Sequence, residues 1–319
     1  MIVDITGFGW SGSGAFLDLL KEYDDFQYPK GDNEWECSIL HSVDGIKDLQ
    51  YKIQIKHCRI YDSEIAVRRF LKHASFLNRQ KGYKKMFDGD FYNLCLNYIK
   101  SIEGKTIYSH SAYDECYFNM FQKTIYLYNR IINKLLNNNF VARKLLPYDF
   151  SDKFKINGIH NKRVLYDSNN FIESTHQFIN TLLNYVRDNS KKPLVMNHFC
   201  SPDCPDLFFD LVGEQIKCLV VRRDPRDTYL LGKILRGNTS LPCQNVEDFI
   251  YFYKRTIENT VVTHPNVLNL QFENLIYDYD ETIKRIEEFL DIHNHKRPFS
   301  FFKPEISINN TQLSLVSTK

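Results

Sequence analysis

Ile2-Val-Asp-Ile-Thr-Gly-Phe-Gly-Trp-Ser-Gly-Ser-Gly14, continued by Ala15-Phe-Leu-Asp-Leu-Leu-Lys-Glu-Tyr23, is the stretch whose reading decides the fold. Residues 2–6 form a short apolar run typical of a buried strand, and Phe16, Leu19, Leu20 and Tyr23 recur at helical spacing. Between them lies a loop dense in Gly and Ser. Strand, Gly/Ser loop and helix in 23 residues is the geometry of a phosphate-binding turn, with main-chain amides gathered at a helix N-terminus. The loop fits two templates. Gly7-x-Gly9-x-x-Gly12 matches a dinucleotide fingerprint, while Gly7-x-x-x-x-Gly12 has the glycine skeleton of a P-loop. Ser13 and Gly14 stand where a nucleotide triphosphatase carries Lys and Ser/Thr, so ordinary ATP or GTP hydrolysis is not expected.

Outward from this point, apolar strands recur at Leu194–Asn197, Ile216–Val221 and Val267–Phe272. Helical patterns fall at 171–187, after Asp224-Pro225, and at 280–290, with Asp224 suited to cap and Pro225 to open the second. Alternating strands and helices imply a parallel sheet covered by helices. Residues 50–190 read as a helical insertion: Ile65, Phe70, Ala74 and Leu77 suit one helix, and Tyr126, Ile131 and Leu135 another, broken near Pro147.

A second cluster, Val221-Arg-Arg-Asp-Pro-Arg-Asp227, puts three arginines at the C-terminal end of a strand, the edge where open α/β sheets bind ligands. Guanidinium forks grip phosphate, although Asp224 and Asp227 offer local ion pairs instead.

The 319 residues carry 41 Lys+Arg against 39 Asp+Glu, a net charge of +2, with 43% hydrophobic and 25% charged residues. This is globular composition, and the near balance of charge argues against a nucleic-acid coat. No run reaches the roughly 20 apolar residues of a membrane span. The first residues enter a core strand without a basic and apolar leader, which predicts a cytoplasmic protein. Eight cysteines at irregular spacings then read as reduced thiols. His198, Cys200 and Cys204 lack a second ligand pair, so no metal is expected.

Three segments together resemble the sulfotransferases: Ser11-Gly12-Ser13 after the first strand, Arg223-Asp-Pro-Arg-Asp227 after a later one, and Val267–Leu275 before a helix ending Glu287-Glu-Phe-Leu290. More narrowly, the chain looks like bacterial sulfotransferase-family proteins of surface-polysaccharide loci. The resemblance covers about 1–45 and 190–312. It implies one P-loop NTPase-like three-layer α/β domain over residues 1–319, with a central parallel sheet and the 50–190 insertion shaping the acceptor site.

The activity so implied is transfer of a sulfuryl group from 3′-phosphoadenosine 5′-phosphosulfate (PAPS) to a hydroxyl of a carbohydrate or other small acceptor, without metal. Gly9, Trp10, Ser11, Gly12, Ser13 and Gly14 would cradle the 5′-phosphosulfate. Arg223, assisted by Arg222, would bind the 3′-phosphate. His198, at a strand end 25 positions before Arg223, matches the family's catalytic histidine in placement; a packed or capping histidine is the alternative. Glu34 and Glu36 are alternative bases. The tail Phe302–Asn310 resembles the family's terminal Ser/Asn segment and would fold over the nucleotide.

There are two departures. Trp10 stands where many members carry Lys or Arg, and Leu231 where a serine usually follows the 3′-phosphate arginine. These keep open a catalytically degenerate nucleotide- or glycan-binding protein. An NAD(P)-dependent oxidoreductase is the other rival, and it needs an acidic residue closing a second strand near Asp32 or Glu34. Seven basic residues and no acids lie between Ile65 and Phe87, either a solvated helix face or a cradle for an anionic acceptor.

Overall fold

The computed structural model describes residues 1–32, 34–55, 60–108, 162–188, 191–235, 241–258 and 260–316, with positions 120, 121, 123, 124, 127, 128 and 131. Strand β1 (Ile2–Gly7) is followed by helix α1 (Ser13–Leu20), and the short helix α2 (Ile46–Gln50) precedes a helical region. That region holds α3 (Ile60–Arg79), α4 (Lys81–Met86), α5 (Phe91–Ser101) and α6 (Phe171–Val186), with strands β2 (Glu103–Tyr108) and β3 (Lys162–Tyr166) between α5 and α6. The chain then returns through β4 (Leu194–Asn197), β5 (Ile216–Arg222), α7 (Pro225–Leu235), α8 (Val246–Tyr253), β6 (Val267–Gln271), α9 (Phe272–Tyr277) and α10 (Tyr279–Leu290).

Four strands form a parallel sheet in the order β4-β1-β5-β6. Side chains leave a strand alternately to its two faces. Ile2, Leu194, Met196 and Ile216 join the core built with α3, α5 and α6, while Val3, Ile5, Val195, Leu219, Val221 and Leu270 join the core of α1, α9 and α10. Both faces of the sheet are therefore apolar and covered, as the near-continuous hydrophobic runs require. Gly7 pairs with Val221 and Ile5 with Asn197, so the loops after β1, β4 and β5 emerge at one edge.

Within the helical region, Tyr98 of α5 stacks on Phe178 of α6 at 4.6 Å between ring centroids, and its hydroxyl meets Thr175 at 2.8 Å. Phe70, Ala74 and Leu77 are buried as their spacing predicts. The antiparallel ribbon β2/β3 has no counterpart in the sequence reading, because residues 103–106 are exposed and carry no apolar alternation. The ribbon docks where Glu64 of α3 accepts the Val164 amide at 3.0 Å. Of the residues that marked the second expected helix only Ile131 is described, and Tyr126, Leu135 and Pro147 lie outside the described residues.

Candidate functional site

The loop after β1 turns sharply. Ser11 donates its amide to the Phe8 carbonyl at 2.9 Å, Trp10 has φ 63°, and Gly12 has φ 86° as the residue preceding α1. A side chain at Gly12 would lie 2.4 Å from the Phe272 ring, and one at Gly7 would lie 2.1 Å from Ser11 Oγ. Glycine is thus demanded by backbone hand and by contact. The first amides of α1, at Ser13 and Gly14, have no intrahelical acceptor and open toward solvent at Gly14. Ser11 Oγ is buried with no partner among the described residues. The Trp10 side chain packs against a satellite cluster of Leu241, Cys243 and Phe249.

The three arginines after β5 diverge. Arg222 donates to the carbonyls of Ile257 (2.6 Å) and Thr260 (2.9 Å) and lies over the Phe8 ring. Its guanidinium closes the end of the helical turn at 254–258. Exposed Arg226 pairs with Asp224 at 2.6 Å, the local ion pair foreseen, while Asp224 accepts the Arg226 amide and caps α7. That pairing holds the Asp224 carboxyl below its usual range.

Arg223 meets the main chain of the first loop at Trp10. It is 6% exposed, donates to the carbonyls of Trp10 at 3.2 Å and Asn310, and rests 4.8 Å over the Phe272 ring. Its Nε is buried without a partner, and no carboxylate of the described residues lies within ion-pair distance. Burial lowers its pKa, against the fields of Asp227, Glu273 and Asp224. A buried cation held by neutral carbonyls and an aromatic face is an incomplete arrangement that an anion completes.

The tail contact arises from buried carboxylates. Glu22, at the end of α1, accepts the amides of Phe301 and Phe302 and pairs with His295 at 2.6 Å. Asp227 accepts the amides of Gln312 (2.7 Å) and Leu313 (2.9 Å), and Tyr277 meets Thr311 at 2.6 Å. The segment 302–313 is thereby held against Glu22 and Asp227, with the Asn310 carbonyl on Arg223.

On the other side of β1, His198 follows β4 with φ 50°, a conformation costly for a residue with a side chain. Its amide continues the ladder to the Ile5 carbonyl at 2.9 Å, and its Nδ1 lies 3.2 Å from Thr6 Oγ1. Thr6 gives its single hydroxyl proton to the Cys200 carbonyl at 2.9 Å, so toward the ring it accepts. This assigns the proton to Nδ1 and leaves Nε2 as the basic nitrogen. Burial pushes the ring pKa below its ordinary value.

Three supports of this turn were not singled out from sequence. His41 Nε2 donates to the His198 carbonyl at 3.0 Å. Asp4, fully buried in β1, accepts the amides of Phe199 (2.8 Å) and Cys200 (2.9 Å), and burial raises its carboxyl to about 7. Thr6 is the third. A carboxylate inside the run Ile-Val-Asp-Ile is a signal that could have found Asp4. His41 carries no such mark.

Glu36 is exposed, bridges to Asn197 beside His198, and has its pKa raised by partial burial. Glu34 is also exposed, and its carbonyl accepts the Asn197 side chain at 3.1 Å. Residues 23–36 form only isolated bridges, at Tyr23, Gln27 and Glu36, among the described residues. The second strand needed by the dinucleotide reading is therefore not formed by the described residues of this stretch. Leu231 is a buried apolar residue of α7.

No family model matches the chain, and no curated protein matches it. Among solved structures, it is similar to retinol dehydratase in complex with androsterone and the inactive cofactor PAP. That match has 18% identity and a TM-score of 0.23 over 40% of this chain and 43% of that one, so the chain spans about two fifths of its length. It is also similar to the sulfotransferase STF9 from Mycobacterium avium, with 10% identity and a TM-score of 0.30 over 96% of this chain and 67% of that one. Likenesses at this level transfer no residue roles.

Proposed function

We infer that this chain is a sulfotransferase using PAPS as co-substrate, built on a P-loop-like three-layer α/β fold, with a hydroxyl of a carbohydrate or another small molecule as acceptor. The observation that carries this reading is Arg223: a buried guanidinium whose Nε has no partner among the described residues, set against the carbonyl of Trp10 in a Gly/Ser loop.

The residues fit an adenosine phosphate. Ser13 and Gly14 offer main-chain amides, Ser11 offers a buried hydroxyl without a partner among the described residues, and Arg223 offers a cation for the 3′-phosphate. PAPS supplies, when bound, a sulfuryl group on an activated bridge oxygen.

His198 and Arg223 follow the two strands that flank β1; Asn197 and Leu219 are both level with Ile5, so the two residues are separated by two strand spacings across the sheet and by about three residues along it. His198 Nε2 takes the proton of the acceptor hydroxyl, and Thr6 holds the Nδ1 proton that makes Nε2 the base. Trp10 brings no charge to the loop, and Arg223 is a cation in contact with it. Glu36, beside Asn197, is the alternative base. Arg222 and Arg223 each donate to two carbonyls, and the 3′-phosphate is assigned to Arg223 because its donors meet the Trp10 carbonyl of the Gly/Ser loop and the Asn310 carbonyl of the tail.

The test is thermal stabilisation by 3′,5′-adenosine bisphosphate compared with 5′-AMP, because occupancy of a folded-state site raises Tm by mass action. The bisphosphate should stabilise the wild-type chain and AMP should not, and Arg223→Ala should lose the effect while keeping its circular dichroism. Equal stabilisation by both nucleotides, or an unaffected variant, overturns the assignment. Radiolabelled sulfuryl transfer from PAPS to glycans then separates an enzyme from a nucleotide-binding protein.

A further inference from the structure

Helix α3 and helix α4 carry seven basic residues and no acid between Ile65 and Phe87. Arg68, Arg69, Lys72, Arg79, Lys81, Lys84 and Lys85 are all exposed. Residues 69, 72, 73, 76 and 79 are spaced by three and four and share one face of α3. Among the described residues only Arg69 has an ion-pair partner, Asp44 at 2.9 Å; Lys85 donates to the Gly31 carbonyl at 2.6 Å. In the middle of this face Phe76 is 52% exposed, with its ring nearly parallel to that of His73 (24°, 6.3 Å between centroids). A large apolar ring left in water among cations calls for a partner that is flat on one side and anionic along its length.

This face is joined to the His198 site by short links. Arg69 holds Asp44, and His73 meets Ser42 at 2.8 Å. The neighbouring His41 donates to the His198 carbonyl. On the α4 side Lys85 holds Gly31, and the same stretch of chain continues to Glu34 and Glu36 against Asn197. Residues 31, 32 and 34–44 thus form the strip between the basic face and the proposed base.

We propose that this face binds an acidic polysaccharide, and that the acceptor of the His198 site is a hydroxyl of that chain. The proposal rests on the sulfotransferase reading for the reaction and for the choice of a hydroxyl-rich polymer, while the anionic character of the partner rests on the basic face itself. From Arg69 to Arg79 the face extends about 15 Å along the helix and then continues onto α4, so it engages several charged units of a polymer, not one small anion. Uronate or sulfate groups meet the guanidinium and ammonium groups, and a sugar ring lies on Phe76. Asp32, Glu34 and Glu36 repel like charge at the strip, so a neutral hydroxyl-bearing unit is the part admitted beside His198. A polymer rich in hydroxyls suits a site whose base acts on one, which favours a glycan over a nucleic acid.

The experiment uses the full chain and measures binding to chondroitin (uronate-bearing), dextran (neutral), oligothymidylate and phosphatidylserine vesicles at low and moderate salt. Chondroitin should bind best and dextran should not bind. The variant Lys72→Glu/Arg79→Glu/Lys84→Glu should lose about tenfold or more of the chondroitin affinity with a reduced salt dependence. Phe76→Ala should lose about threefold with the salt dependence unchanged, a separation that a generic basic surface does not give. Circular dichroism melting guards against loss of the fold. Dextran binding equal to chondroitin, tighter binding of oligothymidylate or of vesicles, or unchanged affinity in the triple variant overturns the proposal. Stabilisation by 3′,5′-adenosine bisphosphate, measured on the same samples, reports separately on the sulfotransferase reading.

Discussion

Asp4→Asn gives the sharpest test of how the His198 turn is held. The Asp4 carboxyl is fully buried, and desolvation raises it from 3.8 to about 7 against the lowering effect of the Phe199 and Cys200 amides. A raised folded-state value means that the folded chain binds the proton more tightly than the unfolded chain. The associated stability is complete below pH 4 and is lost as pH rises toward 7. Three units correspond to about 4 kcal/mol over that window. Asparagine keeps one acceptor oxygen but cannot serve both amides, which costs about 1–3 kcal/mol where the wild-type carboxyl is protonated. Above pH 7 the wild-type chain bears a buried charge that the variant lacks, so the difference should shrink or reverse. Urea unfolding of both proteins between pH 4.5 and pH 8, an experimental range of about half-unit steps around the shifted value, reads this directly. Two parallel stability curves would refute the argument, since they would mean that Asp4 does not titrate in that window.

Three further outcomes follow from the same geometry. Gly12→Ala should lower stability by about 1–3 kcal/mol through its φ of 86° and the Phe272 ring 2.4 Å from the new methyl, while Gly14→Ala, with open space around it, should not; thermal melts compare the two. Asp227→Ala removes the acceptor of the Gln312 and Leu313 amides and should make the tail a site of early proteolytic cleavage, which limited digestion would show; an equally resistant tail would mean that other contacts hold it. The His198 ring should titrate below the ordinary histidine value of about 6.5 in an NMR experiment, because burial disfavours its cation. A midpoint at or above that value would contradict the burial argument.

The positions of the main strands along the chain, the loop after β1 and the capped start of α7 were legible because their signals are local. Apolar runs, Gly and Ser punctuation, and an Asp-Pro pair act within a few residues of where they stand. The ribbon β2/β3 escaped the same reading because its first strand is largely exposed and lacks the alternation that a buried face imposes.

The site divides in the same way. Sequence alone determined that a Gly/Ser turn, an arginine cluster and His198 lie at strand ends, since strand ends in a parallel sheet share one edge. Tertiary structure decided which arginine meets the main chain of the loop at Trp10. Arg222 and Arg223 are adjacent, yet the alternation of side chains sends one to the carbonyls at 257 and 260 and the other to Trp10. It also brought Asp4 to residues 199 and 200, His41 to His198 and Asn310 to Arg223, partners 87 to 196 positions apart along the chain. Packing creates such contacts between segments that carry no mark of one another, so only the folded chain contains them.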